Sequence, residues 1–246
     1  MDLNAGEGNG GGTDDAKSHN VLGLLLVDAG RFEEAEAEFR KAVEADSGYV
    51  EARNNLGNLF AELRRFIEAE AEFRKAVELN PNYAEARYNL GILLSGLERF
   101  DEAEKEFRKA IGIKPDFAEA HYCLGNLLKD LKMYDDAIKE FKKAIEINPD
   151  YLEAHNNLGL MLEDLKMYDD AIREFNEAID INPEYAEVHG NLGILLSKIG
   201  RAAEAKTEFE TALRLFGEQG RDEDAKKVEK LIKKLNKKQD KKPNEI

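Results

Sequence analysis

The sequence is poor in several residue types, and each shortage excludes a class of protein. It has a single cysteine, Cys123, so no disulfide can form within the chain, and a reducing compartment such as the cytoplasm is favoured. The longest apolar run, VLGLLLV at 21–27, is far too short to cross a bilayer. No basic and then apolar leader stands at the start, so we expect no secretory signal.

Basic residues are outnumbered by acidic ones outside the last part of the chain. The net charge is −15, but residues 226–246 contain nine lysines against three acidic residues, which leaves about −21 on residues 1–225. This acidic body disfavours nucleic acid as the main ligand, because phosphate contacts need clustered Lys and Arg. The lysine-rich end has two interpretations: it contacts an anionic membrane or RNA, or it only solubilises the end of a helix. We favour the second, so neither membrane nor nucleic acid is an expected partner.

Four residue types recur at a fixed interval of 34 residues, which indicates an internal repeat. Leu-Gly pairs occur at 22–23, 56–57, 90–91, 124–125, 158–159 and 192–193. Alanine follows at 35, 69, 103, 137, 171 and 205, and phenylalanine at 39, 73, 107, 141, 175 and 209. A second alanine occurs at 42, 76, 110, 144, 178 and 212, and proline closes four units at 81, 115, 149 and 183. Six units of equal length are therefore expected.

The pattern of apolar residues in each unit predicts two helices joined by a short turn. In residues 152–185 the apolar residues of the first half recur every three or four positions, so they share one helical stripe, and a second stripe follows the break at LKMYDD. Pro183 ends the second helix because it lacks a backbone N–H. Gly159 has no side chain, so we expect the two helices to approach closely there, with Phe175 beside it.

The spacing and the residues resemble the tetratricopeptide repeat (TPR) family, whose motif of 34 residues has Leu-Gly, then Ala, Phe, Ala and a closing Pro. The resemblance covers about 16–219. It implies an all-α fold, a right-handed α-solenoid (TPR superhelix) of stacked helical hairpins whose first helices line a concave groove. It also implies a scaffold that binds proteins without being an enzyme. A basic residue replaces the family's aromatic residue near the start of each first helix, at His19, Arg53, Arg87, His121, His155 and His189. We expect the four histidines to fill the slot that the family gives to the aromatic residue.

The predicted organisation has four parts. We expect a flexible Gly-rich leader at 1–15, then the repeats, then a capping helix at 220–238 and a disordered Lys-rich tail at 239–246. The six repeats are expected at 16–49, 50–83, 84–117, 118–151, 152–185 and 186–219. The capping helix is expected because an array of repeats needs its last apolar side covered, and the apolar residues near the C-terminus share one helical face.

A stripe on the first helices, away from the apolar stripe, is the candidate peptide-binding site. An asparagine recurs on it at 55, 89, 157 and 191, with Cys123 interrupting. An asparagine amide can donate and accept at once, as a peptide backbone requires. Packed helices lie about 8–10 Å apart, so one amide would meet about every third residue of an extended peptide. The alternative is that each amide only bonds a neighbouring repeat.

Similar asparagine ladders bind peptide backbones in the sugar-transferase branch of the family, so the resemblance also favours a peptide groove. The predicted site consists of Asn55, Asn58, Asn89, Asn126, Asn157, Asn191, Tyr88, Tyr122, Glu51, Glu85, Glu119 and Glu153.

The acidic residues of the stripe favour a neutral or basic extended segment as the ligand. Relatives that bind the acidic C-terminal tail of chaperones use lysines, asparagines and an arginine, and the matching positions here hold Glu85, Tyr88 and Asn89. The resemblance therefore disfavours a chaperone tail. The identity of the protein or peptide partner is not contained in the sequence.

The first repeat suggests an alternative role. Its stripe is apolar, with Val21, Leu24 and Val27, so it predicts either a self-association surface that makes a homo-oligomer or a site covered by residues 1–15. No catalytic constellation, cofactor site or metal site is expected, since Cys123 has no predicted base partner and the histidines lie on separate hairpins.

Overall fold

The computed structural model describes residues 10–239, and their side chains from Thr13 to Lys237. Within this range the chain is helical with short connections and contains no strand. Its helices are α1 Gly10–Asp28, α2 Phe32–Ala45, α3 Val50–Glu62, α4 Phe66–Leu79, α5 Ala84–Gly96, α6 Phe100–Ile113, α7 Ala118–Asp130, α8 Tyr134–Ile147, α9 Leu152–Asp164, α10 Tyr168–Ile181, α11 Ala186–Lys198, α12 Ala202–Glu218 and α13 Asp222–Gln239. The predicted all-α class is confirmed.

The chain divides into two compact units, Met1–Leu127 and Leu128–Ile246, and the division falls within α7. In the first unit α1 packs with α2, α3 with α4 and α5 with α6, so three hairpins form, and α1, α3 and α5 lie side by side. In the second unit α9 packs with α10 and α11 with α12, α9 lies beside α11, and α13 packs on α12. Along the described residues no helix is both long enough and apolar enough to cross a membrane.

A glycine of the first helix lets the two helices of a hairpin approach closely. In the third repeat a Cβ on Gly91 would lie only 2.7 Å from Cε1 of Phe107, and in the fifth a Cβ on Gly159 would lie 2.7 Å from Cε1 of Phe175. Both phenylalanines are fully buried. The aromatic ring therefore packs directly on the backbone of the first helix, as the Leu-Gly pair predicts.

The turn inside a hairpin is a Schellman motif. In the second repeat the N–H of Arg65 donates to the carbonyl of Phe60 at 2.8 Å, and that of Arg64 donates to the carbonyl of Ala61 at 3.0 Å. This motif needs a positive φ at the residue after the helix. Glycine has that position in two turns, with φ of 70° at Gly30 and 88° at Gly200, but other residues have it at Arg64, Glu98, Lys132 and Lys166, with φ of 59–62°.

The basic residues near the start of the first helices are buried or half-buried at the position where the family has an aromatic residue, and they make polar contacts there. In the fifth repeat Nδ1 of His155 lies 2.8 Å from a carboxylate oxygen of Glu174, and Nε2 lies 3.0 Å from the carbonyl of Pro149. Since both ring nitrogens face acceptors, the imidazolium satisfies both. Burial alone would lower the pKa of His155, but the bonds to Glu174 and Pro149 outweigh it, and the pKa is raised.

Arg87 has the same role in the third repeat. Its guanidinium donates to Glu106 at 2.6 Å and to the carbonyl of Pro81 at 2.8 Å. Arg87 and Glu106 are both buried. These contacts tie the first helix to the second helix and to the loop before it, which a bulky aromatic ring would do by packing alone.

The ends of the chain differ in part from the sequence prediction. α1 begins at Gly10, inside the segment predicted to be a flexible leader. Ala16 is buried, and a helix that is packed there extends easily because each further residue adds one hydrogen bond. α13 buries Val228 and Leu235. The rest of the predicted leader, 1–9, and nearly all of the predicted tail, 240–246, lie outside the described residues.

Candidate functional site

The candidate site is the row of first-helix side chains selected from the sequence. None of its members is fully buried. Four are exposed: Asn58, Glu51, Glu119 and Glu153. The others are partly buried: Asn55, Asn89, Asn126, Asn157, Asn191, Tyr88, Tyr122 and Glu85. The row is therefore reachable from solvent along each unit.

Asparagine pairs join neighbouring first helices. Nδ2 of Asn89 in α5 donates to Oδ1 of Asn54 in α3 at 2.9 Å. The same bond of 2.9 Å recurs in two further pairs, Asn55 with Asn20 and Asn191 with Asn156. The acceptor of each pair is buried, with 5–8% of its surface exposed. Two adjacent asparagines thus have different roles, since one accepts from the following repeat and the other donates to the preceding repeat.

One asparagine pair is replaced by a tyrosine and the cysteine. Sγ of Cys123 donates to the hydroxyl of Tyr88 at 3.7 Å, and these positions correspond to Asn89 and Asn54 one repeat earlier. The ring of Tyr88 packs 4.8 Å from that of Phe117. Burial raises the pKa of the Cys123 thiol, which keeps it protonated and poorly nucleophilic. Tyr88 therefore belongs to the contact between repeats, and only its exposed edge can meet a ligand.

The donating asparagines keep an acceptor for a ligand. Oδ1 of Asn55, Asn89 and Asn191 forms no hydrogen bond with a described residue. Among the described residues, every buried side-chain oxygen has a hydrogen-bond partner, so the unbonded Oδ1 of these three asparagines is accessible to solvent. One N–H of each amide is already used between repeats. The pair therefore fixes the orientation of the amide, with its nitrogen on the neighbouring helix and its oxygen on the surface.

The buried partners of these amides, Asn20, Asn54 and Asn156, were not predicted from the sequence. The sequence pattern that could have identified them is an interval of 35 residues, one more than the repeat length. This interval separates Asn20 from Asn55 and Asn54 from Asn89. The contact of a basic residue with a glutamate 19 residues later was missed in the same way. A glutamate stands at that interval in all six repeats, at 38, 72, 106, 140, 174 and 208.

Acidic residues border the asparagine row in both units. Glu51 and Glu62 of α3 and Glu153 of α9 are exposed. In α5 the charge of Glu85 is partly balanced by Lys114, whose Nζ lies 3.4 Å from Oε1. The row is therefore bordered by negative charge that is only partly balanced.

α1 exposes more apolar surface than the first helix beside it. Leu22 is 44% exposed and Leu25 is 61% exposed, whereas the corresponding Leu56 and Leu59 of α3 are 3% and 2% exposed. The difference arises because α1 lies beside α3, while no described residue covers the other side of α1. The apolar stripe predicted here is also at least partly exposed: Val21, Leu24 and Val27.

Comparison with known proteins identifies the repeat. Four profiles described as tetratricopeptide repeat match residues 20–84, 60–127, 118–151 and 150–218, and together they cover 20–218. A search of curated proteins finds no significant match.

Several solved structures are similar to this chain. YrrB, described as a TPR protein with an unusual peptide-binding site, is 26% identical with a TM-score of 0.63, over 78% of this chain and 97% of YrrB. MamA is 27% identical with a TM-score of 0.61, over 68% of this chain and 97% of MamA. PilF of Pseudomonas aeruginosa has a TM-score of 0.76 over 84% of this chain and 94% of PilF, and its identity of 21% supports the fold alone. The repeated hairpins, the profiles and these solenoid structures agree, and the chain belongs to the tetratricopeptide repeat family, whose members are generally scaffolds for protein interactions.

Proposed function

We propose that the chain is a non-enzymatic binding scaffold whose first helices hold an extended, neutral or basic segment of a partner protein through the asparagine row. The observation that carries this proposal is the fixed orientation of Asn55, Asn89 and Asn191. Each is held by a bond of 2.9 Å to the preceding repeat and keeps its oxygen on the surface. The peptide-binding site named for the related YrrB supports the same class of ligand.

The role of each amide is more specific than the sequence suggested. Its surface oxygen is an acceptor that is oriented before the ligand arrives, so the segment supplies a backbone N–H or a donor side chain. An oriented acceptor loses little side-chain entropy on binding. Exposed Glu51, Glu119 and Glu153 are the acids that we assign to lysine or arginine side chains of the segment. The single cysteine, Cys123, is a half-buried free thiol that suits a reducing compartment, so we assign this role to the cytoplasm.

The chain offers its own substitutions for a test. Simple removal of Asn89 would leave the buried Asn54 without its donor and so confuse folding with binding. The double variant Asn54→Tyr/Asn89→Cys instead copies the Tyr88 and Cys123 pair of the following repeat, including an aromatic neighbour, since Tyr83 precedes Phe117 by 34 residues. The reverse variant Tyr88→Asn/Cys123→Asn adds an amide to the row.

Binding is measured by fluorescence anisotropy with labelled, end-capped peptides of equal length that carry lysines, no charge or glutamates. We expect the lysine peptide to bind most tightly and the glutamate peptide least. Asn54→Tyr/Asn89→Cys weakens binding by about 2–10-fold, as loss of one hydrogen bond does, and the reverse variant strengthens it by a similar factor. Circular dichroism monitors folding. Equal affinities for both folded variants and the wild type would refute the asparagine row as the site.

Self-association through the first repeat is a second candidate, and the exposure of Leu22 and Leu25 supports it. These side chains correspond to buried positions in α3, so α1 has a surface suited to another apolar face. Light scattering at several concentrations should then show a dimer that Leu22→Glu/Leu25→Glu converts to a monomer. A wild-type chain that remains monomeric at every concentration excludes this candidate.

A further inference from the structure

A pocket of about 400 Å³ lies in the first unit between α3 and α5, beside α4. Its walls are mostly apolar and include Ala61, Phe66, Phe73, Ile92 and Leu93. Phe66 is 40% exposed and Ile92 is 44% exposed, so these side chains are not enclosed by the chain itself. A volume of this size lies in the range of about 300–1,000 Å³ that ligand pockets occupy.

Gly96, the last residue of α5, lines the pocket. A Cβ on Gly96 would meet no atom within 4 Å, so the space in front of it is empty. The corresponding positions of the other repeats carry longer side chains, all of them charged: Asp28, Glu62, Asp130, Asp164 and Lys198. The third repeat therefore lacks a charged side chain at a position that lines this pocket.

The rim of the pocket is polar and belongs to the asparagine row. Asn58 and Asn89 both line it, and Oδ1 of Asn89 is one of the surface acceptors. Glu62 lies one turn after Asn58 on α3 and is exposed. These features match a peptide residue whose apolar side chain enters the cavity and whose backbone N–H donates to Oδ1 of Asn89. A basic residue next to it in the peptide matches the exposed Glu62.

We propose that this pocket is the specificity subsite of the scaffold and that it takes one large aliphatic or aromatic side chain, such as leucine or phenylalanine, of the bound segment. The inference rests on the proposed function, since it assumes an extended segment along the asparagine row. The backbone N–H at this residue donates to Oδ1 of Asn89, and a lysine or arginine beside it faces Glu62. The pocket thus selects the position of the segment, and the amides hold its backbone.

The test compares two substitutions of exposed helical glycines. Gly96→Asp gives the third repeat the side chain that other repeats have at this position. Gly112→Asp is the matched control, because Gly112 lies near the end of α6, is exposed and also has no atom within 4 Å of a built Cβ. The probes are lysine-containing peptides that differ only at one central residue, which is leucine, phenylalanine or serine.

We expect the wild type and Gly112→Asp to bind the leucine and phenylalanine peptides about tenfold or more tightly than the serine peptide, because an apolar side chain leaves water. Gly96→Asp removes this preference and leaves the serine peptide unchanged. A preference that survives Gly96→Asp, or its absence in the wild type, would overturn the subsite.

A second measurement separates the subsite from the proposed function. N-acetyl-leucinamide is added to the protein and the methyl resonances of Ile92 and Leu93 are followed by NMR. We expect shifts in the wild type and in Gly112→Asp but not in Gly96→Asp, even if no peptide binds. If the methyl groups respond and the peptides do not, the asparagine row fails and the pocket stands; unchanged methyl resonances in the wild type refute the pocket.

Discussion

The third repeat has an apolar pocket at the end of its first helix, and the fifth repeat has a charged one. α5 ends at Gly96, which lines a space of about 400 Å³. α9 ends at Asp164, beside a space of about 590 Å³ that is also lined by Lys129 and Glu163. Under these surfaces the two hairpins have the same close contact of 2.7 Å between a glycine position and a phenylalanine ring.

The difference shows how one hairpin supports several surfaces. The glycine and the phenylalanine that set the distance between the two helices are packed in the interior of the hairpin, so a side chain at the glycine would overlap the ring. At Gly96, the last position of the first helix in the third repeat, a Cβ would meet no atom within 4 Å, so the packing there is compatible with aspartate as well as with glycine. Specificity can therefore vary along the array without altering its core.

The largest expected effect concerns the buried basic residue, which is Arg87 in the third repeat and His155 in the fifth. Arg87→Gln lowers the free energy of unfolding by about 3 kcal/mol, because it removes the charged bonds to the Pro81 carbonyl and to buried Glu106, which keeps only Lys109 as a partner. This loss is the same from about pH 6 to about pH 8, since arginine stays protonated throughout. Urea unfolding followed by circular dichroism measures both the size of the loss and its pH dependence.

His155→Gln in the fifth repeat should lose stability in a pH-dependent way. The pKa of His155 is raised from 6.5 in the folded chain, so its charge contributes stability that is fully present below 6.5 and lost as pH rises through the folded value. The variant therefore loses about 1.5–3 kcal/mol at low pH and progressively less above 6.5. Equal pH profiles for the Arg87 and His155 variants would show that the two contacts are electrostatically alike, against this expectation.

The next largest effect concerns the contact between glycine and phenylalanine in the cores of the third and fifth hairpins. Gly91→Val and Gly159→Val should each lower the free energy of unfolding by about 1–3 kcal/mol, because the new side chain overlaps a fully buried phenylalanine ring. Gly96→Val is the control, since a Cβ there meets nothing within 4 Å. A clear difference between Gly91→Val and Gly159→Val, or an equal loss for the control, would contradict the common core.

The smallest effect concerns the turn that both hairpins share. Glu98→Gly and Lys166→Gly should each raise the free energy of unfolding by about 0.5–1 kcal/mol, because glycine adopts a positive φ without strain. Gly200→Ala has the opposite sign, since the φ of Gly200 is 88°. Thermal unfolding of the three variants measures the effects, and a loss of stability in Glu98→Gly would rule out backbone strain there.

The sequence predicted the hairpins well because their pattern is local. The interval of 34 residues, the apolar stripes and Pro183 each act within one helix or one turn. The asparagine row was found in the same way, from positions on one helix face, although its use in binding stays a prediction. The start of α1 at Gly10 was not predicted, because glycines suggest a loop until a packed helix extends through them.

The sequence by itself determined the repeat, the helices and the residues that face away from the core, because a helical period of about 3.6 residues assigns a face to each position. Only the tertiary structure decided what those residues touch. The bond from Asn89 to Asn54, the contact of His155 with Glu174 and the pocket at Gly96 each need side chains from different helices at defined distances. Those distances follow from packing between helices, which no spacing along a single helix contains.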